Sequence, residues 1–441
     1  MKTKLVVPTL LAVTALAAVF AQGPLTPPGA PAPVMKTLDQ IEPRTVINAA
    51  NTPGDATSLF KITQPGSYYL AGNINGVAGK HGIVIAADGV TLDLNGFVLL
   101  GIFQSLAGVT TTSGFDRNIV VKNGTIRNWN GGGVDFTSHG AISCRLSDLT
   151  VSGNAGHGIR AWESTIVSNC TAFLNSPTGI EAQSACTIVN CTASSNLNHG
   201  ITASNGCTLT NCASNNNTGT GIITGNACTV SACSAHGNFS SGIIAGDDGT
   251  LSHCTASGNI GIYGIKAGIN STLTNCTASN NSHSGTTSYG ILTGDACTVD
   301  ACTASGNTST NAAHTGNTGM GIFASGGSTV KNCTASGNTG DGIQASFHSQ
   351  ITGNTCNFNG AFSGNGAGIH IMGDGNRIDS NNVTLNDRGL DVDGTANCII
   401  RNTAQSNTAN YAAIASGNTV GPVIGIQNPV TGTNPWANFS F

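Results

Sequence analysis

The stretch that decides the fold is NCTASSNLNHGI, residues 190–201. The chain upstream reads NCTAFLNSPTGI (169–180), and downstream it reads NCASNNNTGTGI (211–222). A cysteine, an asparagine and a Gly-Ile pair thus return together every 21 residues. The glycines of that pair include Gly158, Gly179, Gly200, Gly221, Gly242, Gly264, Gly290, Gly321, Gly342, Gly368 and Gly389. Repeats of this length, rich in Gly and Asn, indicate a solenoid in which each unit buries its apolar face only against its neighbours. A helical repeat would show apolar stripes at a 3.6-residue period, and none is present.

The internal pattern says which solenoid. Ile201 and Ala203 share one face by the period of two. Cys207 and Leu209 share a face in the next segment, and Cys212 and Ser214 form a third, out of phase with the second. A break in phase marks a corner, so each unit reads as three short strands around a triangle. Units stacked about 4.8 Å apart form parallel sheets, and right-handed crossovers follow from strand twist. The expected fold is all-β: a right-handed, single-stranded parallel β-helix with coils of about 21 residues.

Three inward columns follow. The first is Cys170, Cys191, Cys212, Cys233, Cys254, Cys276, Cys302, Cys333 and Cys356, with Asn382 and Asn402 expected where its later members fall. The second is Cys186, Cys207, Cys228 and Cys297, with Gly249, Ser271, Ser328 and Ser349 as replacements. The third is Asn175, Asn196, Asn217, Asn238, Asn259, Asn281, Asn307 and Asn338, whose amides can hydrogen-bond from turn to turn. A position that accepts Cys, Ser, Gly or Asn asks for a small stackable group, which favours a buried thiol ladder over a metal site or a disulfide framework. Bridges between some adjacent turns stay open. Glycine before isoleucine is expected to supply backbone freedom at the bend.

Composition narrows the function. Only 8% of the 441 residues are charged, 5% are aromatic and the net charge is −4. Nothing in this balance suits nucleic acid or an anionic membrane surface. Lys2 and Lys4 precede the apolar run Leu5 to Phe20, and Ala21 ends a stretch of small residues. Residues 1–21 therefore read as a signal peptide cut before Gln22, which places the chain outside the cell or in its envelope. Residues 22–44 read as a proline-rich linker, 45–130 as an N-terminal cap with the first coils, 131–410 as the repeats and 411–441 as a C-terminal cap. ITQPGSYYLAGNI (62–74) reads as a strand pair around a Pro-Gly turn. No later segment is apolar enough to span a membrane, and the expected state is monomeric.

GVTLDLNG (89–96), VKNGTIRNW (121–129) and the serial N-C-T-A…N…G-I units resemble the right-handed parallel β-helix repeat proteins of the pectate-lyase-like superfamily, over roughly residues 60–410. The resemblance implies a polysaccharide or envelope glycan handled along the outside of one sheet. It does not imply one reaction, since the architecture hosts lyases, hydrolases, epimerases and non-catalytic surface proteins. A hydrolase of the polygalacturonase kind would need clustered aspartates and a Gly-His-Gly element. Gly156-His157-Gly158 and Gly246-Asp247-Asp248 stand in reversed order and four coils apart, and His157 reads as a solvated corner residue. No turn shows a calcium-binding acidic cluster, so no metal and no cofactor are expected.

Aligning the residue after each isoleucine gives two polar patches. Arg160 and Glu181 should be neighbours beside Trp162; His370 and Asp391 should be neighbours with Arg388 and Asp393 close by. A His–Asp pair can move protons, so His370 and Asp391 are the candidate catalytic residues. Extra residues at 281–289, 307–320 and 357–367 are expected to emerge along one edge and wall a groove. Tyr289, His283, His314, Phe323, Phe362 and His370 would line or neighbour it. The expected binding residues are Trp162, Arg160, Glu181, Tyr289, Phe323, Arg388 and Asp393. A non-catalytic glycan-binding module is ranked first, with a carbohydrate-active enzyme and a structural or adhesive spacer as alternatives.

Overall fold

A computed structural model describes residues 42–112, 117–137, 140–285, 287–309, 319–360, 366–425 and 434–441. The expected signal peptide and nearly all of the linker, and also His314 and Phe362, lie outside the described residues.

From Thr45 onward the described residues form strands and no helix. The Gly-Ile strands build one 16-stranded parallel sheet, from Ser58–Ile62 to Ala409–Ala412. The other two strands of each coil form two further parallel ladders. These join near the N-terminus, because Val120–Arg127 and Arg145–Ser152 each run through both. Every main-sheet strand pairs with its equivalent one turn away, as in Ile180↔Ile201↔Ile222. This is the expected three-strand parallel β-helix. Its sheets begin in the segment expected to hold the N-terminal cap and the first coils. Ser58–Ile62 and Gly66–Tyr69 flank the Pro-Gly turn but do not pair with each other; each pairs with the next coil in a different sheet.

The core is filed in columns. Ile159, Ile180, Ile201, Ile222, Ile243, Ile265, Ile291, Ile322, Ile343 and Ile369 are all fully buried. Each contributes roughly 1.5–3 kcal/mol of apolar burial. A second column runs Val167, Ile188, Leu209, Val230, Leu251, and a third is mainly alanine, from Ala172 to Ala404. Cys356 belongs to this alanine column, since it pairs with Ala335 and Val383. The first cysteine column passes instead from Cys333 to Asn354, Asn381 and Asn402. Asn382, expected there, is the neighbour of the true member. Asn354 keeps the 21-residue interval from Cys333, and Cys356 lies two positions beyond it.

Each corner is built the same way. A residue with left-handed backbone, such as Ala185, Asn190 or Ser195 (φ 57, 54 and 53°), precedes the ladder residue Cys186, Cys191 or Asn196. Asparagine takes this conformation at little strain. Amides and thiols then serve the ladder residue's own N–H. Asn196 N donates to Asn217 Oδ1 at 3.0 Å, and Asn217 Nδ2 donates to the Ala193 carbonyl at 3.2 Å. Cys186 N donates to Cys207 Sγ at 3.4 Å, and Cys207 Sγ donates to the Gln183 carbonyl at 3.1 Å. The asparagine ladder runs unbroken from Asn154 to Asn407.

The glycine before isoleucine has another role than expected. Gly179, Gly200 and Gly221 are absent from the positive-φ positions. A Cβ at Gly200 would stand 2.7 Å from Asn217 Nδ2 and 2.8 Å from the Gly221 carbonyl oxygen. The hydrogen is needed for space, because the asparagine ladder passes directly behind it.

All fifteen cysteines are free thiols and fourteen are buried. Cys398 is the exception; it sits beside Arg377 in an outward row. In the native chain we expect a thiol reagent to modify Cys398 alone, and all fifteen thiols once denaturant is added. Asn217→Ala leaves two buried N–H donors of Asn196 without an acceptor. It is expected to lower stability by at least about 2 kcal/mol, read as a shifted denaturation midpoint.

Candidate functional site

The strands Ile343–Ala345, Ala367–Ile371 and Arg388–Val392 lie side by side in the main sheet. Their isoleucine and leucine partners Ile343, Ile369 and Leu390 point inward. The alternating pleat therefore places Gln344, His370 and Asp391 outward on consecutive turns.

His370 is held from both sides. Its Nδ1 lies 2.8 Å from Asp341 Oδ2, and its Nε2 lies 3.0 Å from Asp393 Oδ2. The Asp341 side chain is wholly buried, whereas that of Asp393 is 57% exposed. Asp341 is itself fixed, because its Oδ1 accepts the Ala367 N–H at 2.7 Å. Gln344 sits against the same ring, its Nε2 3.5 Å from His370 Nδ1 and 2.9 Å from Met372 Sδ. Burial alone would lower the imidazole, but the hydrogen bond and charge of Asp341, aided by Asp393, outweigh it and raise His370 to about 9. At neutral pH it is an imidazolium that donates to both carboxylates.

Asp391 is adjacent to His370 in the sheet, as expected, but it is not the partner of the ring. It is buried and ion-paired with Arg388. Neither of its oxygens receives a hydrogen bond of good geometry. Burial pushes its carboxyl upward, against the opposing charges of Arg388 and His370. One atom each of His370, Asp391 and Asp393 lies within 4.8 Å of the other two. The structure thus brings together four of the expected residues, His370, Asp391, Asp393 and Arg388. It adds Asp341, which the sequence reading missed. A signal existed: among the residues just before the repeat's Gly-Ile glycines, from His157 to Arg388, Asp341 is the sole carboxylate.

Next along the same face is an aromatic group. Tyr263 and Tyr289 pair on adjacent turns with ring centroids 5.9 Å apart, and Phe323 meets Tyr289 edge-on at 5.7 Å. The Lys266 ammonium stands 5.2 Å from the Tyr263 ring centroid. Tyr289 and Phe323 were expected; Tyr263 and Lys266 were not singled out. Phe323 precedes Gln344 and His370 in one outward row. Within the first two inserted segments, Ser282–His283 pairs with Thr308–Ser309 in a small parallel ladder; residues 286, 310–318 and 361–365 lie outside the described residues.

The second expected patch is separate. Arg160 bridges Glu181 at 3.2 Å and Asp135 at 3.6 Å, and His157 lies 3.0 Å from Glu181. His157 is therefore partly buried against Glu181 instead of a solvated corner residue. The hydrogen bond from His157 holds the Glu181 carboxyl below its ordinary range, with Arg160 adding to it. Trp162 flanks this group, half-buried. Glu181 and His370 are eight turns apart in the sheet, about 38 Å at ~4.8 Å per turn.

His370 makes stability pH-dependent. Its folded value near 9 exceeds the ordinary 6.5. Its contribution is therefore full below pH 6.5 and is lost as pH rises through 9. We expect the His370 ring to titrate near pH 9 by NMR. The fall in stability between pH 6.5 and 9 should shrink in His370→Gln.

Comparison with known proteins places the fold. The model of the right handed beta helix region family matches residues 107–259 and 243–409. Among solved structures, the Azotobacter vinelandii mannuronan C-5 epimerase AlgE4 A-module is 14% identical, with a TM-score of 0.42 over 66% of this chain and 86% of that one. The tailspike protein gp49 of Acinetobacter baumannii bacteriophage Fri1, a capsular polysaccharide depolymerase, is 12% identical, with a TM-score of 0.33 over 74% of this chain and 62% of that one. No curated protein matches by sequence. The family match spans well over half of the chain, and the chain belongs to the right-handed β-helix family.

Proposed function

We propose that the outward face of the main sheet, from Tyr263 to Asp393, binds a polysaccharide outside the cell or in its envelope. The observation that carries this reading is the group of rings Tyr263, Tyr289 and Phe323, of which Phe323 stands in the same outward row as Gln344 and His370. Sugar rings present C–H faces that pack on aromatic faces and hydroxyls that bond to charged groups. A glycan lying along the solenoid axis would meet rings first and then Gln344, His370 and Asp393. Parallel strands fix these groups on a rigid ladder, so little ordering opposes binding.

A second reading is supported by the cluster itself. A histidine oriented by a buried carboxylate, beside a buried carboxyl of raised pKa, is an arrangement suited to proton transfer. His370 would act as proton donor at neutral pH, and Asp391 or Asp393 as the accepting group. On this reading the face belongs to a carbohydrate-active enzyme. Arg160, Glu181 and Trp162 stand too far along the axis for a short oligosaccharide to touch both groups.

A panel of short oligosaccharides and their parent polymers tests both readings. Tyr289→Ala or Phe323→Ala should weaken binding about tenfold each, near 1.4 kcal/mol, while Arg160→Ala leaves it unchanged. No binding by any glycan would overturn the proposal. New reducing ends or unsaturated products, abolished in His370→Ala and Asp391→Asn, would establish the enzyme. Binding without products would establish the module.

A further inference from the structure

We propose that His370, Asp391 and Asp393 form a binding site for a single zinc ion. The inference rests on the geometry of the cluster and goes beyond the glycan reading.

Three donors of suitable chemistry converge. His370 offers Nε2, and each aspartate offers one oxygen, all within 4.8 Å of one another. The edge from Nε2 to Asp393 Oδ2 is 3.0 Å. That is near the ~3.3 Å edge of a tetrahedron with bonds of ~2.0–2.1 Å. Metal-bound histidines give their other ring N–H to a carboxylate, which fixes the ring and its tautomer. Asp341 holds that place here: it is wholly buried, bonded to Nδ1 at 2.8 Å and anchored by the Ala367 N–H. Nε2 is thereby aimed at the aspartates.

An independent observation points into the same space. Asp391 is 1% exposed, yet no well-aligned hydrogen bond reaches either of its oxygens. A buried carboxylate is normally satisfied by such bonds. Arg388 pairs with its Oδ2, and Oδ1 has no hydrogen-bond partner. The fixed charges agree. Three carboxylates, Asp341, Asp391 and Asp393, face the one guanidinium of Arg388, an excess of negative charge that a divalent ion offsets. The Nε2–H bond breaks, the Nε2 lone pair bonds to the ion, and the proton leaves to solvent.

One nitrogen and two carboxylates favour zinc over calcium or magnesium, which take oxygen ligands in larger number. Three protein ligands would leave the fourth position to water, in the manner of sites that activate water.

The test uses the full chain carrying Cys398→Ser, stripped with a chelator and titrated with zinc chloride in a calorimeter at pH 7.5. Buffers of different protonation heat report the protons released. We expect one zinc per chain and close to one proton released. Asp393→Asn should weaken binding at least tenfold, and Asp341→Asn, a positioning change, about 10–100-fold, both with unchanged circular dichroism. Asp393 is exposed, so its variant decides the matter even where His370→Ala fails to fold. Sub-stoichiometric binding, affinity unaltered by Asp393→Asn, or preference for calcium would each overturn the assignment. Glycan binding measured on the stripped chain keeps this result separate from the polysaccharide reading.

Discussion

The structure depends on one recurring hydrogen bond: a corner N–H that points along the solenoid axis and is met by the residue one turn on. Each coil bends where a residue adopts left-handed backbone, and the bend turns the next N–H away from the strand ladders. A buried amide N–H left alone would cost about 1–3 kcal/mol, and every coil has three such corners. Stacked asparagines answer one corner throughout. Thiols and hydroxyls serve the other two at particular turns, as from Cys186 to Cys207, Cys276 to Cys302 and Cys297 to Ser328, with Asn354, Asn381 and Asn402 taking over one column and Asn376, Asn397 and Asn418 the other. Asn438 of the final strand receives the N–H of Asn402 and closes that column with an asparagine. The cysteines are thus short polar rungs with the packing habit of small apolar groups.

This scaffold frees the outward positions. The core is set by Ile, Leu, Val, Ala and the ladders, so the alternate residues on each strand carry no folding duty beyond being tolerable in a sheet. On the main sheet they change character along the axis: an ion-paired group at Arg160 and Glu181, then small and aliphatic side chains, then rings, then the histidine and carboxylates. A face that gathers rings and buried charge in one stretch differs physically from the uniform turns before it.

The candidate site was legible in part. His370, Asp391, Asp393 and Arg388 could be placed together because the repeat gives the register, and the register gives neighbours. Their pairing could not be read, because a side chain chooses among several neighbours by reach and burial. His370 passes over Asp391, its partner in the sheet, for Asp341, which comes from the loop ahead of the previous strand. Asp341 looked like one more member of a variable column, and only its burial beneath His370 gives it a role. Cys356 was misplaced within the core for another reason: the 21-residue interval from Cys333 points to Asn354, and residue type drew the assignment to the cysteine two positions on.

By itself the sequence determined the fold class, the ladder columns and the direction of the outward residues. These follow from periods of two and of 21, which survive in the chain however it is folded. Tertiary structure alone decided what the glycine before isoleucine is for, since the ladder behind it comes from a neighbouring coil. It also decided which carboxylate orients His370 and which stays buried without a hydrogen bond. Those outcomes depend on ångström-scale approach between coils, and a one-dimensional pattern carries neighbours but not distances.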